Sequence, residues 1–261
     1  RLFDEYFDSL DPNRMFFTQK DVERFMPFRR SLASALRRGD TGFAFEVYDL
    51  YRERNREFRA FAEKRLKEPF DFTADEVYVT DRRKLPRAAD HAALEKLWEQ
   101  RLKNDILYYR LFDRAIEEAE KEEKKKQKNA AGDKETRENA ARREVAKKWA
   151  GKTPAEKVLK RLRDITNSLE NSDRIDILGL YLNALAQVYG PHSNYLSPKL
   201  DEDFEIGMKL SLTGIGATLT SDDGYIKIVA IVPGGPAALA GRLKARTASS
   251  PSPRRTATPS M

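Results

Sequence analysis

Residues 190–241 read GPHSNYLSPKLDEDFEIGMKLSLTGIGATLTSDDGYIKIVAIVPGGPAALAG, and this stretch decides how the C-terminal part of the chain folds. Its apolar run from Leu210 to Leu219 is interrupted by Gly214 and Gly216. Glycines in such a run are typical of a loop whose backbone closely approaches another group, followed by a strand. The pattern therefore predicts a glycine-containing loop that leads into the first strand of a small sheet.

The residues after this first strand predict a hairpin and a helix. Ser221-Asp222-Asp223-Gly224 is typical of a turn, and residues 225–232 alternate in the manner of a second strand. Pro233-Gly234-Gly235-Pro236 predicts a sharp turn before a short alanine-rich helix. We expect Gly241 to end that helix, because glycine readily adopts the left-handed conformation of a helix C-terminus.

The glycine loop and the strand after it together suit the capture of a free peptide C-terminus. Successive backbone N–H groups in such a loop can bind an anion, and a strand edge can pair with an extended peptide. We therefore name Gly214, Ile215, Gly216 and Ala217 as the candidate site for a peptide's terminal carboxylate.

The order of short motifs in this stretch resembles the start of the PDZ domain in bacterial tail-specific, or carboxyl-terminal processing, serine proteases. The matching motifs are Pro191-His192-Ser193, Tyr195-Leu196-Ser197-Pro198, Phe204, Met208, Leu210-Ser211-Leu212, Gly214-Ile215-Gly216-Ala217 and Gly234-Gly235-Pro236-Ala237. Upstream, two further motifs resemble the helical region of the same family. They are Leu10-Asp11-Pro12 with Phe16-Phe17, and Phe70-Asp71-Phe72-Thr73 before Asp75-Glu76. The resemblance covers residues 1–245.

The resemblance implies a serine-type endopeptidase that recognises apolar protein C-termini through its PDZ domain, in the periplasm or at the cell envelope. It also implies a Ser/Lys dyad in a catalytic domain that follows the PDZ domain. No serine in this chain has a lysine four residues later, so we assign no catalytic residue and expect the chain to be an inactive fragment. The alternative is a non-enzymatic helical scaffold or peptide-binding protein, and an adaptor protein is a further candidate partner of the helical domain.

Composition excludes several other classes of function. The chain of 261 residues has a formal net charge of +7, but basic residues without an acid concentrate after Gly241, and elsewhere Lys and Arg interleave with Asp and Glu. This arrangement is typical of solvated helices, so we predict no nucleic-acid binding. The absence of cysteine excludes disulfides and thiolate sites, and His91 and His192 are far apart in sequence, so we predict no metal and no cofactor. No apolar run is long enough to span a bilayer.

Apolar residues at helical spacing predict a mainly α fold class with a multi-helix N-terminal domain. The resemblance implies that an incomplete α+β PDZ-like domain follows it. One helix is expected from Val22 to Leu36, another from Gly42 to Leu66, and a long one from near Ala93. Helix-start signals occur at Thr18 with Asp21, at Thr153-Pro154-Ala155-Glu156 and at Ser172-Asp173. Residues 70–80 are expected to be an extended connector, with a short strand left open.

The expected domains are a helical domain at 1–189, a connector at 190–208, half of a PDZ domain at 209–245 and an aberrant, disordered tail at 246–261. Residues 117–150 form a Lys/Glu/Ala-rich insertion, either a projecting helix or partly disordered. The resemblance implies that a strand similar to Gly-Asp-Arg-Ile follows Leu243 and closes the domain. A shifted reading frame of the tail can encode Asp-Arg-Ile-Val, so we expect a frameshift near Lys244. The alternative is a natural Pro/Ser-rich tail. Arg1 opens directly into a helical pattern, so we also expect that the true N-terminus and its signal peptide are missing.

Overall fold

The chain is mainly helical in the computed structural model, which describes residues 1–129, 149, 151–190, 192–209, 214–222, 225–242 and 248–249. The predicted fold class is therefore confirmed as mainly α. The chain divides into two compact units, Arg1–Ser197 and Pro198–Met261. The division falls inside the expected connector at 190–208.

The described part of the first unit is helical apart from its connecting loops. Its helices are α1 (Leu2–Leu10), α2 (Gln19–Phe25), a 3-10 helix (Met26–Arg30), α3 (Leu32–Arg37), α4 (Gly42–Arg65), α5 (His91–Asn129), α6 (Pro154–Asn171) and α7 (Arg174–Tyr189). Helix α1 packs against α7, and α4 packs against α5, α6 and α7.

Three of these helices begin at capping boxes, as the sequence predicts. In α2 the Thr18 hydroxyl accepts the N–H of Asp21 while the Asp21 carboxylate accepts the N–H of Thr18. Helix α6 begins in the same way at Thr153 and α7 at Asp173. Each reciprocal pair satisfies backbone donors that a helix N-terminus leaves without a partner.

The expected single helix from Val22 to Leu36 is wrong. The structure divides this stretch into α2, the 3-10 helix and α3, and Pro27 lies in the first turn of the 3-10 helix. Proline has no N–H to donate and clashes with the preceding turn, so an α-helix cannot run through it undisturbed. The helical spacing of apolar residues continues through Pro27 and therefore does not indicate this interruption.

Helix α5 begins at His91, two residues before the predicted start, and its described part continues to Asn129. The first third of the expected insertion at 117–150 is therefore helical, whereas 130–148 and 150 lie outside the described residues. Residues 70–80 are extended, and no strand is formed among the described residues of the first unit.

The aromatic stripes of the helices form two buried clusters. The first joins α1, α2, α4 and α7 around Phe7, Phe43 and Tyr181. The second joins α4, α5 and α6 around Phe58, Trp98 and Leu162 in the same unit. Burial of apolar surface at roughly 25 cal/mol per Å² makes these clusters the main source of stability.

The loop after α1 connects the two clusters. Asp11, which is 2% exposed, accepts hydrogen bonds from the N–H groups of Met15 (2.7 Å), Phe16 (3.0 Å) and Phe17 (3.0 Å). Phe17 then packs in the first cluster and Met15 in the second. The family-like residues Leu10-Asp11-Pro12 and Phe16-Phe17 thus have a structural role.

The second unit contains α8 (Pro198–Lys209), β1 (Ala217–Asp222), β2 (Tyr225–Ile231), α9 (Pro236–Ala240) and β3 (Ala248–Ser249). Its strands form an antiparallel sheet in the order β1-β2-β3. The predicted strand pair and short helix are confirmed in this order. Of the expected turn, Ser221 and Asp222 belong to β1, and 223–224 lie outside the described residues. Apart from β3, the expected tail at 246–261 lies outside the described residues.

Candidate peptide-binding site

The four predicted site residues are contiguous, with Gly214, Ile215 and Gly216 in a loop and Ala217 at the start of β1. Two hydrogen bonds fix this loop. The N–H of Val232 donates to the Gly216 carbonyl and the N–H of Ala237 donates to the Ile215 carbonyl, both at 2.8 Å. The loop is therefore tied to the turn after β2 and to the first residues of α9.

These bonds use the carbonyl oxygens of Ile215 and Gly216. Within the described residues, no backbone carbonyl accepts from the N–H groups of Gly214, Ile215 or Gly216. Gly214 is exposed, and the Ile215 side chain is 53% exposed. Backbone donors arranged in this way are able to bind a carboxylate.

Gly216 packs directly against a second glycine, Gly235. Gly216 has φ of +73°, and a Cβ added to it would lie 3.1 Å from both the Gly235 Cα and the Pro236 Cδ. A Cβ on Gly235 would in turn lie 3.2 Å from the Gly216 Cα and 3.1 Å from the Val232 carbonyl oxygen. The left-handed backbone at Gly216 favours glycine, and a Cβ at either position would require its neighbours to shift by a few tenths of an ångström.

The sequence predicted a close backbone approach at Gly216, but it did not identify Gly235 as the group approached. The available signal was the Gly-Gly pair before Pro236. Because these two positions are separated by the whole hairpin, their contact becomes evident only once β1 and β2 are paired.

Strand β1 has one free side within the described sheet. It pairs with β2 from Ala217 opposite Ile231 to Asp222 opposite Tyr225, and no described strand lies along its other side. The register shifts between Thr218 and Leu219. Bulges of this kind bend a strand and occur often near binding sites. The loop and the open edge are thus consecutive features of one surface.

Metal binding and serine activation each require a particular group of neighbouring side chains. No group of three or more His, Cys, Asp or Glu side chains among them could hold a metal ion. His91 is about half exposed and lies beside Glu95, and His192 is exposed. Lys157 is buried, but its ammonium contacts the Asp113 carboxylate, whereas a lysine acting as general base would contact a serine hydroxyl. None of the described helices is both long and apolar enough to cross a membrane.

Comparison with known proteins adds a family assignment to this geometry. The family model described as the tail specific protease N-terminal domain matches residues 1–199. A curated protein, the tail-specific protease of Haemophilus influenzae, is 31% identical over 238 residues, which are 91% of this chain and 29% of that protein. The chain therefore spans under a third of the length of this relative.

Proposed function

Since the chain belongs to the tail-specific protease family, we propose that it forms the substrate-capturing part of a serine endopeptidase that acts on proteins with apolar C-termini. The observation that carries the proposal is the Gly214–Gly216 loop, whose N–H groups lie immediately before the open edge of β1. The second unit is, on this proposal, the first half of a PDZ domain.

Capture requires three interactions in one register. The terminal carboxylate of the substrate would accept hydrogen bonds from the N–H groups of Gly214, Ile215 and Gly216. None of these three residues carries a negative charge that would repel it. The residues before the carboxylate would pair with β1 from Ala217 to Leu219 by strand addition. The half-exposed side chain of Ile215 would contact the last apolar side chain, which gives the preference for apolar tails.

Peptide-bond hydrolysis is assigned by this proposal to a Ser/Lys dyad in the longer protein. Activation of a serine needs an adjacent base and donors for the oxyanion. The capture loop supplies donors, but residues 214–217 contain neither serine nor lysine. The same family membership leads us to propose a periplasmic location and an adaptor that contacts the helical unit.

Proteolysis with a matched pair of substrates tests the proposal. An unstructured reporter protein ending in apolar residues should be degraded by the protein extended past Lys244 in the frame that encodes Asp-Arg-Ile-Val. The same reporter ending in two aspartates should be degraded at least ten-fold more slowly. The 261-residue chain should leave both reporters intact. Cleavage by this chain that survives repurification, or equal rates for both tails, would contradict the proposal.

A further inference from the structure

Residues 74–80 form an extended segment, here named the connector strand, whose backbone is unpaired. Within the described part of the chain, no hydrogen bond reaches the main-chain N–H or C=O groups from Ala74 to Thr80. The segment is fixed instead at its two ends. The Asp71 carboxylate accepts the N–H of Thr73, and the Arg82 N–H donates to the Asn13 side chain.

The connector strand contacts the helical unit through two side chains. The Glu76 carboxylate pairs with the Lys103 ammonium of α5 at 2.7 Å, and the Tyr78 hydroxyl contacts the Met15 sulfur at 3.9 Å. Val77 and Val79 are 83% and 46% exposed. The segment thus carries two exposed valines and has no partner strand among the described residues.

A groove of about 150 Å³ lies between the connector strand and α5. It is lined by Phe72, Val77 and Leu107 together with the side-chain amides of Gln100 and Asn104. Lys103 and Glu76, the charged side chains that line it, neutralise one another. A space of this size accepts roughly one benzene-sized apolar group, so the groove favours an uncharged, apolar side chain.

We propose that the connector strand and this groove dock an extended, uncharged stretch of substrate polypeptide by strand addition. Exposed backbone donors and acceptors in an extended segment are a template for another extended chain. An incoming strand with an apolar residue at every second position would place these residues against Val77, Val79 and the groove. The proposal rests on the proposed function, because it takes unfolded protein as the substrate, but it uses no terminal carboxylate.

Fluorescence anisotropy with a probe that lacks a C-terminal carboxylate tests the docking site. The probe is a labelled, amidated heptapeptide that alternates threonine and valine. We expect it to bind the 261-residue chain and to bind Val77→Asp/Val79→Asp at least ten-fold more weakly. Ile175→Asp is the matched control, because Ile175 is 58% exposed on α7 and should leave binding unchanged. Unchanged melting temperatures for both variants show that the fold is intact.

A second probe tests whether the backbone is what binds. N-methylation of alternate amides removes hydrogen-bond donors from one edge of the peptide, and methylation of one of the two edges should weaken binding at least ten-fold. Equal binding by all methylated probes, no binding to the unmodified chain at millimolar concentration, or equal binding to the valine double variant would overturn the proposal. Gly216→Val should not change binding of these probes, so failure of the carboxylate loop and failure of the docking site are distinguishable.

Discussion

Removal of the Asp11 carboxylate should be among the most destabilising single changes in the helical unit. Asp11 accepts three backbone N–H groups and also a guanidinium N–H of Arg87 at 3.0 Å. The Arg87 side chain is itself only 9% exposed. In Asp11→Ala, three backbone donors lose their acceptor and a largely buried cation loses one of its two carboxylates.

The magnitude follows from this burial. Removing one partner of a buried ion pair costs about 3–5 kcal/mol because the other charge stays buried and uncompensated. Here Asp8 still contacts Arg87, at 2.8 Å, which offsets part of the lost charge. The three N–H groups left without an acceptor add to the destabilisation. We therefore expect a loss of about 3–5 kcal/mol in the free energy of unfolding.

Asp8→Ala is the matched control, because Asp8 contacts the same guanidinium but is 49% exposed. An exposed pair is worth about 1 kcal/mol or less. Urea unfolding followed by Trp98 fluorescence measures both variants, since the Trp98 indole N–H donates to the Met15 carbonyl in the loop that Asp11 orders. Trp149→Phe as background removes the second tryptophan. A loss under 1 kcal/mol for Asp11→Ala, or a larger loss for Asp8→Ala, would refute the reasoning.

Three further predictions concern the second unit and pH. Gly216→Val should break the contacts between the loop and α9, so the amide NMR signals of the second unit should lose chemical-shift dispersion. Gly214→Ala should leave the NMR spectrum largely unchanged, because a Cβ at Gly214 meets nothing within 4 Å. Amide exchange should be fast in β1, β2 and α9 and slow in α4 and α5, because the described hairpin and α9 bury few side chains; equal protection would show a second unit closed in another way. Burial acts to raise the pKa of Asp21, but hydrogen bonds from Arg54 and Thr18 lower the pKa below its usual value. The unfolded chain therefore binds a proton at Asp21 more readily than the folded chain. The stability that the ionised Asp21 contributes is present above about pH 4 and lost as pH falls below it. In Asp21→Asn the free energy of unfolding should fall less steeply at acid pH, and an unchanged acid dependence would contradict this prediction.

Features that depend on neighbouring residues could be predicted from the sequence. The capping boxes at Thr18 and Thr153 require partners only three residues away, and the structure has both. The candidate loop was identifiable for the same reason, because its four residues are consecutive. The helix predicted across Pro27 is wrong because proline interrupts the backbone locally, and the apolar period does not reflect this effect.

Features that depend on distant partners could not be predicted. Asp11 and Arg87 are separated by the whole of α2, α3 and α4, and nothing near Asp11 indicates that its carboxylate would be buried. Similarly, the sequence suggested an extended connector at 70–80 but not which of its valines would be exposed. Those properties arise from packing against α5, which follows later in the chain.

The central claim is that the Gly214–Ala217 loop binds a free peptide carboxylate, and residue-resolved NMR titration tests it most directly. The 261-residue chain, labelled with nitrogen-15, is titrated with a hexapeptide ending in Leu-Ala-Val and with the same peptide amidated. We expect weak binding of the free acid. Its amide shifts should be concentrated at Gly214, Ile215, Gly216 and Ala217, and the amidated peptide should produce at most small changes there. Equal shifts with both peptides, or shifts from the free acid that avoid these four residues, would contradict the account.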